Sequence, residues 1–402
     1  MNNASITRRG FLGGVAGAAA LNIVRTASAK DTPETPKIKA GLIGVGGRGN
    51  MIAQFIQEHG GYELAALADY FPEVVTAAGT RFGVSEKNCF SGLMGYKRLL
   101  ESGVEAVFLE TPPYCFPDHV EAAVAAGRHV YMAKPVACDV PGCLRVSDAA
   151  KRATADKKVF LIDFQTRTDP FFIEGVERVH RGEIGALGML SSLYTDESFS
   201  DPPLTGNAES RLQHLVWVND DALGGSYLVN AGIHAIDVAL WLARATPVSA
   251  VGASRVARNE PHGDSHDVYS LTYEFADGLI LNHRGEHLKN KFGFHCECAA
   301  YGQYGNLESG YSSNVAILSK DKDWPGGPVK DLYAAGARRN IAAFHDCIVN
   351  ANYANPSVEP SINATLTTLL GREAALRRTR VTWDDMIKEN RRLEPDLRGL
   401  KA

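Results

Sequence analysis

From residue 38 onward the chain first alternates short apolar runs with longer stretches in which apolar residues return every three or four positions. Short apolar runs between turns read as strands covered on both faces, and the longer period reads as helices packed against them. This predicts strands at 38–43, 62–68, 106–109, 129–132 and 159–162. Helices are expected from near Asn50 and over 118–126 and 140–153. Strand and helix in alternation build a parallel, doubly wound sheet. Beyond about Gln165 the period changes to two over longer runs, at 188–194, 249–257, 267–275 and 279–285. Such runs suit a mostly antiparallel, open-faced sheet with one wet side. Two late stretches, 338–350 and 362–378, read as amphipathic helices that either cover this second sheet or dock back on the first domain. The fold class expected is α/β followed by α+β.

The first strand runs directly into Gly44-Val45-Gly46-Gly47-Arg48-Gly49 and then a helix. Each glycine has a separate reason in a dinucleotide-binding turn. Gly44 permits the tight turn, Gly46 lets the backbone approach a pyrophosphate, and Gly49 lets helix and strand pack closely. The helix N-terminus offers free N–H donors to the phosphates. The second strand ends in Asp69, where a carboxylate can accept from an adenosine ribose and would repel a 2′-phosphate. Tyr70 and Phe71 follow it, with no arginine, so NAD is expected over NADP. Arg48 is expected at the pyrophosphate. A strand-end turn residue is the plainer reading of Asp69.

Later strand ends carry Thr111-Pro112-Pro113 and Ala133-Lys134-Pro135, on the side of such a sheet that faces a nicotinamide. Farther on, Gly224-Gly225-Ser226-Tyr227-Leu228-Val229-Asn230-Ala231-Gly232-Ile233-His234-Ala235-Ile236-Asp237 leads into an apolar helix. This places His234 and Asp237 one turn apart on one face. With these three ordered motifs the chain resembles the glucose–fructose oxidoreductase, inositol dehydrogenase and MocA family, from about Ile38 to the late helices. The resemblance implies an N-terminal NAD(P)-binding Rossmann domain over 38–165 and a C-terminal open-sheet substrate domain over 166–402, with the active site between them. It also implies pairing of copies through the open sheet.

The family's Glu-Lys-Pro motif matches here with Ala133 in place of its glutamate, so its substrate- and nicotinamide-contacting lysine carries over to Lys134. Its Gly-Gly-x4-Asp-x-Gly-x-His-x2-Asp motif matches with Asn230 at the first acid, His234 at the histidine and Asp237 at the last acid. Oxidising a secondary alcohol requires a base for the hydroxyl proton and a cation for the alkoxide-like oxygen. His234 is expected as the base and Lys134 as the cation, with Thr111 and Pro112 at the cofactor. Asn230, Asp237, Arg167 and Gln165 are expected on the substrate. A strand-end lysine and a core histidine are the bland alternatives. Cys296 and Cys298 alternate as in a strand with both thiols on one face, and His262 and His266 sit in turn-like sequence, so no metal is expected.

The 402 residues are enough for two globular domains, and a net charge of −4 gives nothing to attract nucleic acid. At the front, Arg8-Arg9 precedes a short apolar run and Ala27-Ser28-Ala29, the order of a twin-arginine export signal over 1–29 followed by a polar leader over 30–37. The run is too short for a stable membrane anchor. Partners expected are the twin-arginine machinery and a small sugar or polyol, and the place is the periplasm or otherwise outside the cytoplasm. Free NAD is not expected there. An enzyme that keeps its cofactor and restores it each cycle, as a glycosidase or lyase, is therefore the alternative to a simple dehydrogenase. A non-catalytic sugar-binding protein is the third reading.

Overall fold

The computed structural model describes residues 37–197, 199–203, 208–259 and 261–401. The expected export signal and the leader up to Pro36 lie outside them. Six parallel strands come first: β1 (Ile38–Ile43), β2 (Tyr62–Asp69), β3 (Cys89–Ser91), β4 (Ala106–Leu109), β5 (His129–Ala133) and β6 (Phe160–Asp163). Their order is β3-β2-β1-β4-β5-β6. The direction of winding therefore reverses between β1 and β4, which opens a crevice at the C-terminal strand ends. β4 and β6 are buried at every position and β1 at every position but Lys39, as strands sandwiched between helix layers must be.

Nine strands form the second sheet: β7 (Leu187–Asp196), β8 (Ser249–Arg255), β9 (Val268–Glu274), β10 (Ile280–His287), β11 (His295–Gly302), β12 (Gly305–Gly310), β13 (Asn314–Ser319), β14 (Trp324–Pro328) and β15 (Val381–Thr382). They lie in the order β14-β13-β12-β11-β7-β10-β9-β8-β15. Only β7 and β10 pair in parallel. Cys296 and Cys298 are buried on one face of β11, as strand alternation requires. His262 and His266 turn ring nitrogens to the Pro202 carbonyl and the Ser254 hydroxyl.

The two late helices divide the alternatives. The helix Leu332–Val349 returns to the first domain: Ala337, Ile341 and Phe344 join the core under β1 and β4, and Tyr62 donates to the Ile341 carbonyl at 3.0 Å. The helix Val358–Arg377 packs on β8, the helix Ile233–Ala243 and the helix Val140–Ala155. Here the amphipathic expectation is corrected, because this helix is buried nearly all round from Ser361 to Ala375. Most of its polar residues escaped the pattern because they are satisfied within the protein. Thr365 donates to the Ser361 carbonyl at 2.9 Å, Thr368 to the Thr365 carbonyl at 2.6 Å, and Arg372 to the Gly225 carbonyl at 3.0 Å.

Candidate active site

A cavity of about 1200 Å³ lies between the C-terminal ends of β1, β4, β5 and β6 and the first strand of the second sheet. Gly44 turns the chain out of β1 at φ +88°, where a side chain would strike the backbone of Glu110 at 2.7 Å. A Cβ on Gly49 would lie 1.9 Å from the Gly44 carbonyl oxygen, so strand and helix meet only as glycines. At Gly46 and Gly47 a Cβ would meet nothing within 4 Å, and both line the cavity.

The helix that follows, Gly47–His59, has no side-chain cap and no acidic residue in its first turn. Its N–H groups are therefore left for an anion. Cavity, open glycines and uncapped helix fit a dinucleotide, with Thr111 and Pro112 also on the wall. Asp69 lines the same end, where it accepts from the Val45 N–H at 2.9 Å and the Phe71 N–H at 3.1 Å. Burial pushes its carboxyl up, against those backbone donors. It thus braces the turn as well as facing the cavity. The chain's far end meets this region too. Leu397 and Leu400 line it, Lys401 donates its N–H to the Tyr70 hydroxyl at 3.1 Å, and its carbonyl accepts from Leu93 at 3.1 Å.

At the opposite end Lys134, following β5, donates from Nζ to the Asn230 carbonyl at 2.6 Å. That carbonyl belongs to a single wide turn, Leu228–Gly232, which leads into the helix carrying His234. Lys134, Asn230 and His234 all line the cavity. Burial, then the charge of Arg48, lowers the Lys134 ammonium to about 8, against the pull of Asp163 and Glu110. Burial and the cations Lys134 and Arg48 hold the His234 imidazole well below its ordinary range. The ring sits edge-on to Tyr311 and Phe164, and its Nδ1 has no hydrogen-bond partner among the described residues. The site therefore presents a cation and a neutral imidazole to one space.

Arg48 stands in the glycine turn, where a pyrophosphate was expected. It lines the cavity, but its guanidinium is tied to two carboxylates at strand ends, Asp163 and Glu110, the latter at 2.9 Å, and stacks over Tyr333. Three of the expected substrate residues do not line the cavity. Asp237 is fully buried and held by Arg167 through both oxygens, with Nε–Oδ2 and Nη2–Oδ1 at 2.9 Å. One helical turn carries His234 into the cavity and Asp237 behind its wall, which corrects the common face expected for them. Gln165 is also buried, donating to Asp163 at 2.8 Å and accepting from Tyr311 at 3.3 Å.

Glu110 and Asp163 were not foreseen, although both line the cavity. The available signal was an acid closing an otherwise wholly apolar strand, Ala106–Leu109 followed by Glu110 and Phe160–Asp163 itself. An acid in that position is buried at the functional edge of a parallel sheet.

Comparison with known proteins agrees with this architecture. Residues 38–160 match the oxidoreductase family with NAD-binding Rossmann fold, and residues 174–308 match the GFO/IDH/MocA C-terminal domain. The chain belongs to the GFO/IDH/MocA family and is an NAD(P)-dependent oxidoreductase. An inositol 2-dehydrogenase of Rhizobium meliloti is 23% identical over 348 residues, covering 85% of this chain and 96% of the relative. An aldose-aldose oxidoreductase of Caulobacter crescentus, solved with glycerol, superposes with a TM-score of 0.71 at 20% identity, over 86% of this chain and 100% of that one. A levoglucosan dehydrogenase solved with NADH gives 0.70 at 18% identity, over 86% and 99%.

Proposed function

We propose that the protein oxidises a secondary hydroxyl of a sugar, glycoside or polyol with NAD. The observation that carries this is the convergence of Lys134, from the first domain, and His234, from the second, on one cavity with an open glycine turn at its other end. Bound nicotinamide supplies a hydride acceptor. Lys134 as a cation holds the hydroxyl oxygen as charge develops on it, and the neutral His234 takes its proton. Asn230 cannot titrate, so its part is to orient. The polyol and sugar substrates named for the relatives support this substrate class, and Asp69 without a neighbouring arginine supports NAD over NADP. Incubating purified protein with NAD and a panel of sugars and inositols, and following NADH absorbance, tests the reading. No reduction with any polyol, in protein that binds NAD, would count against it.

A second reading is favoured by one feature, the C-terminal residues Leu397 and Leu400 on the wall of the cavity end that Asp69 lines, with Lys401 tied to Tyr70 beside them. Extra wall contacts at that end would slow the release of a bound cofactor. Together with the export to the periplasm that we propose from the twin-arginine sequence at 1–29, this supports a redox-neutral glycosidase or lyase in which the same bound NAD is reduced and reoxidised. Mass spectrometry of small molecules released on denaturation separates the two. Stoichiometric NAD in protein purified without additions favours the second, and empty protein favours the first. Export itself is tested by changing Arg8 and Arg9 to Lys, which should trap the protein in the cytoplasm.

A further inference from the structure

Lys134 stands in a sheet edge whose acids are in unusual places. The motif shared with the family puts a glutamate just before this lysine, and here that position is Ala133. Ala133 is in register with Asp163 of β6, and Leu109 of β4 with Met132 of β5. One residue on, Glu110 therefore stands abreast of Ala133 on the other side. Registered neighbours in a parallel sheet direct their side chains to the same face. A methyl group is thus flanked by two carboxylates, and Arg48 reaches both of them from the glycine turn.

The two acids are not equivalent. Asp163 is held by three donors, accepting from Arg48, from Gln165 at 2.8 Å and from Asn340 at 2.6 Å. Among the described residues Glu110 has only its ion pair with Arg48 at 2.9 Å, and neither oxygen has a well-directed hydrogen bond, although its side chain is 1% exposed and on the cavity wall. A buried carboxylate so lightly held is costly unless another group nearby uses its charge. We propose that Glu110 takes over, from the neighbouring strand, the work of the acid missing at Ala133: it is a positioning residue whose charge keeps Lys134 protonated in the active site.

The charges around the pair are consistent with this role. Facing Glu110 are Arg48 from the turn after β1, Asp163 from β6 and Lys134 from β5. Facing Lys134 are Arg48, Asp163, Glu110 and the Cys296 thiol of β11, with the neutral His234 beyond it. Two carboxylates, Asp163 and Glu110, thus face two cations, Arg48 and Lys134, and both act on Lys134; of the two, Glu110 is the one that no amide donor holds in place. Burial holds its carboxyl up to about 7, against Arg48, so the support is fully present only above that pH.

The inference rests on the proposed role of Lys134 in alcohol oxidation, but it can be read without any turnover. Competitive acetylation of the full-length protein with acetic anhydride, over a range of pH and quantified for Lys134 by mass spectrometry, gives the lysine's titration midpoint. Glu110→Gln should lower that midpoint by about one pH unit, the scale of one nearby opposite charge. Glu110→Asp, which keeps the charge, should leave it near the wild-type value. Glu110→Ala combined with Ala133→Glu should bring it back toward wild type. A midpoint unmoved in Glu110→Gln would overturn the proposal whatever happens to stability, and so would a double variant as displaced as Glu110→Gln. Displaced midpoints in a protein that oxidises no polyol would leave this inference standing and remove the functional reading instead.

Discussion

Arg48 and Arg167 look alike by every local measure. Each side chain is 20% exposed, each pairs with a carboxylate of 0% exposure, and each stacks on a ring, Tyr333 at 4.9 Å and Trp241 at 5.1 Å. They differ in how their charge is closed off. Arg167 meets Asp237 alone, through both oxygens, in a bidentate geometry that leaves nothing over. Arg48 is divided between Asp163 and Glu110, next to a second cation, so the group as a whole stays responsive and faces the cavity. A closed pair builds the wall behind His234, while an open cluster sets the charge in front of it.

This contrast is broken most strongly at the closed pair. Asp237→Ala should cost about 3–5 kcal/mol of stability, because it strands a guanidinium over the core. Urea unfolding would read the loss, and turnover per folded molecule should stay within a few-fold of wild type. A collapse of activity in folded protein would return Asp237 to the site. Next come Lys134→Ala and His234→Ala, each expected to lower turnover about 10²-fold or more with little change in the unfolding midpoint. Loss of stability without loss of rate would make them wall residues like Arg167.

The open cluster also predicts a pH dependence. The Lys134 ammonium is lowered from its ordinary value to about 8, so its cation is present below that pH and lost above it. Turnover limited by Lys134 should therefore fall as pH rises through about 8, whereas ordinary lysines still carry their charge there. A flat profile from pH 7 to 9 would sever the link between Lys134 and the rate. Smaller effects are expected at the cofactor end and at the orienting amide. Asp69→Ala should weaken NAD binding and narrow the preference over NADP, measured by calorimetry on stripped protein. Asn230→Ala should cost less turnover than either Lys134→Ala or His234→Ala, because its backbone carbonyl, which holds Lys134, survives the change.

Periodicity alone was enough to place the strands that build the site. The run at 38–43 and the run at 106–109 coincide with β1 and β4, because a strand buried on both faces leaves an unbroken apolar signature. The helix Val358–Arg377 was the opposite case. The hydroxyls of Ser361, Thr365 and Thr368 bond to its own carbonyls, so polar residues that looked solvated are in the core. β12, β13 and β14 had no expected counterpart: β12 and β14 are short and interrupted by glycine, and β13 is a short apolar run at the sheet's end.

From its sequence alone the protein was determined to carry a dinucleotide turn, a lysine at a strand end and a histidine at a helix start, because each depends on local spacing: glycines at Gly44, Gly46 and Gly49, and an ordered motif around His234. Tertiary structure alone decided which charged residues meet. Glu110, Ala133 and Asp163 are far apart in the chain and abreast only through β4–β5–β6 pairing. Likewise Arg167 and Asp237, 70 positions apart, close on each other behind the cavity instead of reaching into it. The physical reason is that a buried charge must be neutralised by whatever group the fold brings within a few ångströms, and that proximity has no period in the sequence.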